Sequence, residues 1–200
     1  MPTNKTEILK IAFEKQAPIT TEEWDEMRSY LIERTFNKGE FLCRNGQIEQ
    51  YLSVIYDGTC RGFYNNKEGE EISVAFMFPN DYVSAYYSFL TQSPSLMAIQ
   101  ALTPLTVVSI SHDHLNLLCD KYKSAERIGR LNAERIYRRK EEREVALLTM
   151  SATERYLDLI KRSPKLLQKI PLKQIASYLG IQPESLSRIR KQLANQEKQI

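Results

Sequence analysis

The chain is predicted to be α+β, a β-rich sandwich or barrel flanked in sequence by helical ends, and three observations carry that prediction. From residue 35 to about residue 110, short β-rich or alternating runs are separated by turn residues at Lys38-Gly39, Asn45-Gly46, Asp57-Gly58, Asn65-Asn66, Glu68-Gly69 and Pro79-Asn80-Asp81. Regular short strands with such punctuation point to an antiparallel sandwich or barrel. On both sides of this stretch apolar residues recur at helical spacing. Near the C-terminal end, PLKQIASYLGIQPESLSRIRKQLA reads as helix, tight turn, helix.

Residues 4–15 and 20–34 carry helical periodicity. In the second, Thr21 is the expected cap, and Trp24, Met27 and Leu31 share one face. The expected strands are FLCRN, YLSVIYD, RGFYN, ISVAFMF, LMAIQAL and TVVSIS. Residues 114–119 form a short apolar helix, capped by His112-Asp113, and from Lys121 onward a helical run of about 29 residues extends roughly 40 Å. Its stripe of Ile128, Leu131, Ile136, Val145 and Leu148 is interrupted by YRRKEERE. A helix this long and this charged cannot bury itself in a domain of its own, so Ile128, Leu131 and Ile136 are expected to face a symmetry mate. Ser151 and Glu154 then form a capping box that opens a fresh helix, which ends at Ser163-Pro164.

The last two helices are built from clear signals. Ile175, Ala176 and Leu179 sit at helical spacing, Gly180 supplies a left-handed stop, and Pro183 suits the first position of the next helix. Leu186, Ile189 and Leu193 then face inward, leaving Glu184, Ser185, Ser187, Arg188 and Lys191 on polar faces. These side chains can bond base edges or phosphates, and an arginine one turn into a helix suits a major groove.

Charge is divided along the chain beneath a net of only +3. Residues 1–120 hold 9 Lys+Arg against 16 Asp+Glu, a net of −7, whereas residues 121–200 hold 19 against 9, a net of +10. A basic end that meets a polyanion, and an acidic end that does not, follow from that asymmetry. Cys43, Cys60 and Cys119 are odd in number and lack CxxC spacing, which excludes a disulfide framework or cysteine-rich metal site and fits a reducing cytoplasm. No run approaches a membrane span, and MPTNKTEILKIAFEK lacks the apolar core of a secretion signal. His112 and His114 would share a face on a strand, as in a metal-binding barrel, but no further ligands accompany them. Neither a metal nor another cofactor is expected.

In unbroken order over about residues 20–194, these features resemble the catabolite activator and fumarate-nitrate regulator (Crp/Fnr) family of bacterial transcription factors. Carrying the resemblance are Lys38-Gly39-Glu40 with Gly46, Tyr56-Asp57-Gly58, Glu68-Gly69-Glu70-Glu71, Phe78-Pro79-Asn80-Asp81-Tyr82, and residues 172–193. The wording IASYLGIQPESLSRIRK is similar to a Bacteroidetes-type subgroup. The implied architecture is a cyclic-nucleotide-binding-like β jelly roll over 1–120, a dimerisation helix over 121–150, and a winged helix-turn-helix over 151–200. By the same resemblance Arg188 bonds guanine, Glu184 accepts from cytosine, and Ser185 and Ser187 bond bases or phosphates. Lys173, Arg190 and Lys191 are assigned to phosphates. Pro183 stands where the catabolite activator carries a DNA-contacting arginine, so the target site should differ.

The ligand loop departs further from the family. Its cyclic-nucleotide binders use a Gly-Glu pair and then an Arg-Ser pair that neutralises the phosphate. Here Ser84, Ala85 and the tyrosines fall near the first pair, and Ser95-Leu96 on the second. With no Lys or Arg between Lys67 and Lys121, nothing local offsets a phosphate, and no cAMP binding is expected. Tyr82, Ser84, Tyr86, Tyr87, Ser95 and Leu96 are the candidate ligand residues, for an uncharged ligand or for a loop filled by its own side chains. The function implied is a dimeric, cytoplasmic, non-enzymatic DNA-binding regulator. Its partners would be double-stranded DNA, a second copy, an effector of unknown identity and, as a candidate, RNA polymerase. The competing readings are a ligand-sensing or scaffolding module without DNA binding, and a cupin-like metalloenzyme that lacks ligands.

Overall fold

The computed structural model describes residues 5–164 and 166–197; residues 1–4, 165 and 198–200, which belong to the predicted terminal domains, lie outside the described residues. The chain divides into two compact units, residues 1–62 with 76–138, and residues 63–75 with 139–200. This differs from the expected boundaries at 120 and 150. One helix runs through the first expected boundary, and a β-hairpin groups with the C-terminal helices.

The strands are β1 Ile32–Phe36, β2 Phe41–Cys43, β3 Tyr51–Asp57, β4 Cys60–Asn65, β5 Glu71–Met77, β6 Tyr82–Val83, β7 Ala98–Ala101 and β8 Leu105–Ser111, all in the first unit except residues 63–75 of β4 and β5. They form two four-stranded sheets, ordered β1-β8-β3-β6 and β2-β7-β4-β5. The six expected strands are present, joined by two that were not expected. β1 begins inside the predicted helix 20–34 because Ile32 and Thr35 pair with Ser109 and Thr106 of β8, and this ladder ends the helix at Ser29. Tertiary pairing overrides local periodicity there. β6 is two residues long and pairs only with Ser53 and Val54. Gly58 makes the β3–β4 turn at φ +93°, where an added Cβ would lie 2.3 Å from the Pro104 carbonyl oxygen.

Central strands β3 and β8 are covered on both faces, which explains their nearly continuous apolar sequences. Ile55 and Val107 are fully buried, and the paired residues Ser53 and Ser109 share a buried hydroxyl bond of 2.7 Å. On the other face Val54, Val108 and Ile110 pack with Leu9, Trp24, Met27, Leu118 and Ala125. These come from α1 Lys5–Glu14, α2 Thr21–Ser29, α4 His112–Lys121 and the start of α5 Lys123–Thr149. The α2 cap is Thr20 rather than Thr21, because only Thr20 has a glutamate three residues on: its side chain accepts from Glu23 N–H and Glu23 returns a 2.8 Å bond. Ser111, not His112-Asp113, caps α4. The predicted helix from Lys121 breaks at Tyr122, whose backbone is extended, while Glu26 binds both the Lys121 ammonium and the Tyr122 hydroxyl.

The second unit holds residues 63–75, which are half of β4, the turn and most of β5, with the end of α5, α6 Ala152–Arg162, the short α7 Leu166–Lys169, α8 Leu172–Leu179 and α9 Pro183–Glu197. The Ser151–Glu154 capping box opens α6 as expected. Phe63, Tyr156, Ile170, Ile175, Ala176, Leu179 and Leu186 are the unit's buried apolar residues among the described ones. The expected wing is not formed by the described residues of 151–197, which contain no strand. Among the described residues no helix is long and apolar enough to cross a membrane.

Candidate nucleic-acid interface

α8 and α9 are joined by a three-residue turn, and the turn is set by Gly180. Its φ of +69° ends α8, and Ile181 N–H reaches back to the Ala176 carbonyl at 3.0 Å, closing the helix end. Two arginines take further carbonyls there. Arg143 Nη2 donates to Tyr178 O at 3.2 Å, and Arg155 Nε donates to Leu179 O at 3.1 Å. Cations at a helix C-terminus also complement its dipole. Burial lowers the basicity of Arg143, whose guanidinium lies over the Tyr178 ring at 5.0 Å.

α9 starts at Pro183, and Leu186 anchors it at 0% exposure, with Ile189 and Leu193 half-buried on the same side. Glu184, Ser187, Arg188, Arg190 and Lys191 are exposed, Ser185 is half-buried, and Lys173 is exposed on α8. The Ser187 hydroxyl donates to its own helix at Pro183 O, 3.1 Å away, which leaves its lone pairs outward. Six of the seven residues assigned to nucleic acid are thus exposed on this helix pair. Sequence reasoning missed Arg143 and Arg155, because an arginine in a charged helix shows nothing of the carbonyl it will meet.

The candidate ligand residues are placed differently. In the first unit α3 Tyr86–Thr91 occupies the middle of the expected loop. Tyr82 is pushed to higher pKa by burial, with Gln16 and Asn132 beside its hydroxyl, and the neighbouring Asp81 pairs with Arg135 at 3.1 Å. Tyr86 stacks on Phe89. The Ser95 hydroxyl is closed onto Met97, donating to its carbonyl at 2.7 Å and accepting from its N–H at 3.1 Å. Tyr87 and Leu96 are 73% and 70% exposed. Ser84 is half-buried, and its hydroxyl finds no protein partner among the described residues. The structure therefore does not gather these six into one pocket. A groove of about 730 Å³ is lined instead by Glu26, Tyr30, Asp113, Asn116, Leu117, Asp120 and Lys121.

What lies between the two loop segments is Glu49, missed in the sequence because it sits in the unremarkable turn GQIEQ. Only 4% exposed, its carboxylate accepts from Ala85 N–H at 3.3 Å and from Tyr51 N–H at 3.1 Å. Burial raises its pKa, and Arg34 of β1 is the cation that partly offsets its charge. The absence of cations along residues 68–120 was therefore an incomplete guide, since Arg34 arrives from another strand. Glu49 and Ser95 also neighbour the Cys43 thiol, which burial pushes up to about 11. Cys60 and Cys119 are likewise raised by burial, so none of the three is an activated nucleophile.

The two histidines diverge. They lie in the first turn of α4, where residues two apart point to different sides. His112 meets the edge of Phe89 and bonds Asp113, whereas His114 stacks on Tyr30 at 4.3 Å. Among the described residues no group of three His, Cys, Asp or Glu side chains could hold a metal ion. The seam residue Ile128 is only 7% exposed within its own chain, packed inward because it shares a face with Ala125 and Asn132; it is not available to a partner. Leu131 and Ile136 are half-buried, and Tyr137 and Leu148 are the strongly exposed apolar residues of α5.

Residues 33–122 match the family model of the cyclic nucleotide-binding domain. The first unit's sandwich is thus a jelly roll of the cyclic-nucleotide-binding type. No curated protein matches the chain. Among solved structures, a protein from Eubacterium rectale described as of the Crp/Fnr family is similar with a TM-score of 0.72 and 16% identity, over 92% of this chain and 89% of that one. FixK2 from Bradyrhizobium japonicum is similar with a TM-score of 0.69 and 20% identity, over 84% and 86%. The catabolite activator protein of Thermus thermophilus is similar with a TM-score of 0.55 and 21% identity, over 90% and 86%. The chain shares its fold with these three structures.

Proposed function

We propose that this chain is a Crp/Fnr-type transcription regulator of the cytoplasm, not an enzyme, that binds duplex DNA as a homodimer and does not respond to cAMP. The observation that supports DNA binding best is α9, where Leu186 is fully buried while Glu184, Ser187, Arg188, Arg190 and Lys191 stand in solvent. On this reading Arg188 and Glu184 read base edges, Ser185 and Ser187 assist them, and Lys173, Arg190 and Lys191 hold phosphates. The dimer places two copies of α9 about one DNA turn apart on a near-palindromic site. Its seam uses Leu131, Ile136 and the exposed Tyr137 rather than Ile128. The subgroup resemblance of residues 175–191 belongs to this same proposal.

Insensitivity to cAMP is supported by Glu49. This buried acid bonds the Ala85 amide beside the expected phosphate loop, and where it is ionised it opposes a phosphate's negative charge. Binding to genomic duplex fragments across a salt series tests the function. The expected result is tight binding that weakens steeply with salt as counterions are released. Failure to bind any duplex at low salt, with or without cell extract, would overturn it. Calorimetry with cAMP should give no micromolar binding.

A further inference from the structure

Within the second unit, the β4–β5 hairpin meets α8 through bonds that a neighbouring strand would otherwise make. β5 ends the order of its sheet, so residues of one parity turn their N–H and C=O groups outward. Ser177 Oγ satisfies two of these groups, accepting from Ser73 N–H at 2.9 Å and donating to the Glu71 carbonyl at 3.0 Å. Arg143 Nη2 approaches a third, the Ser73 carbonyl, at 3.4 Å. Two side chains thus close the outward backbone of residues 71 and 73, and one of them belongs to α8.

The junction is incompletely satisfied. Ser73 Oγ, Arg143 Nε and Gln174 Oε1 are buried there or on the elements that form it, and find no protein partner among the described residues. Permanently closed interfaces pair their buried polar groups or replace them with apolar ones. A contact that leaves donors and acceptors unpaired gains when they reach water, which lowers the cost of opening it.

We propose that the junction of α8 with the β5 edge is a latch that opens reversibly while α8 and α9 remain folded. The bolt is the Ser177 hydroxyl, and Arg143 is the second point of attachment. Since α9 follows α8 through the tight Gly180 turn, opening carries both helices away from the hairpin. The latch stands on the geometry of this junction; that its opening re-aims a DNA-reading helix rests on the function proposed above.

Native-state amide hydrogen exchange on the full chain tests the latch without DNA. Ser73 N–H is bonded to Ser177 Oγ, whereas Ile175 N–H bonds Pro171 O and Leu186 N–H bonds Gln182 O, each at 3.2 Å, in the first turns of α8 and α9. The Ser73 amide should exchange at least ~100-fold faster than those of Ile175 and Leu186, with little denaturant dependence, as local openings do. Ser177→Ala should speed Ser73 exchange about tenfold, the loss expected for one hydrogen bond, and leave the two helix amides unchanged. Ser177→Thr, which keeps the hydroxyl, should retain protection. A common rate and denaturant slope for all three wild-type amides would overturn the proposal, because the junction would then open only with the whole unit. So would an unaltered Ser73 rate in Ser177→Ala. DNA binding is measured separately, so failure of that reading and failure of the latch give different results.

Discussion

Arg188→Ala separates base reading from folding on α9. Arg188 is exposed, and among the described residues its side chain makes no hydrogen bond or ion pair, so its loss should change stability by no more than about 0.5 kcal/mol. On DNA a bidentate contact to guanine would disappear, at a cost of about 1–3 kcal/mol, or about 5- to 150-fold in Kd. Discrimination should relax at one position per half-site. Leu186, two residues earlier, provides the opposite case. At 0% exposure, Leu186→Ala should cost about 2–5 kcal/mol of stability, a large share of the total of about 5–15 kcal/mol typical of a domain. It should weaken DNA binding only by unfolding, with the base preference of the folded fraction unchanged. Fluorescence anisotropy on a selected duplex and its single-base variants gives Kd and selectivity, and urea melts give stability. Arg188→Ala that keeps full selectivity, or that loses as much stability as Leu186→Ala, would refute the placement of this face in a groove.

Three further outcomes follow from particular contacts. Burial raises the folded pKa of Glu49 above its unfolded value, so its contribution to stability is complete below the unfolded pKa of about 4.3 and is lost as pH rises through the folded one. Wild type should therefore lose stability relative to Glu49→Gln as urea melts step from pH 4 toward neutrality, and a relative gain would contradict the cause assigned. Ile128→Ala should destabilise the monomer fold by about 2–5 kcal/mol, whereas Leu131→Glu should leave it folded and shift sedimentation from dimer toward monomer; an unshifted dimer removes Leu131 from the seam. Ser151→Ala removes the hydroxyl that accepts from Glu154 N–H at 3.3 Å, half of the reciprocal cap, and should cost about 1 kcal/mol, read as a lower urea midpoint of the second unit.

What was legible came from local rules. Gly180, Pro183 and the Leu186–Ile189–Leu193 spacing specify the helix pair, because a left-handed stop, a fixed φ and a 3.6-residue period depend on neighbours in the chain. Turn residues likewise announced six of the strands, and Ser151 with Glu154 the start of α6. The errors share a different origin. Residues 32–34 read as helix until β8 offers them a partner about 75 residues away. Ile128 reads as a seam residue until α5 is seen to bury it beneath its own chain. Glu49, Arg34 and Ser177 carry no signature, since each acquires its role from a group distant in sequence: an Ala85 amide, a buried carboxylate, the edge of β5. By itself the amino-acid order determined the kinds of element, their succession, and which face of α9 stays in water. Only the tertiary structure decided what fills the loop, which strands close the sandwich and what holds α8, because burial, desolvation and backbone pairing are properties of neighbours in space.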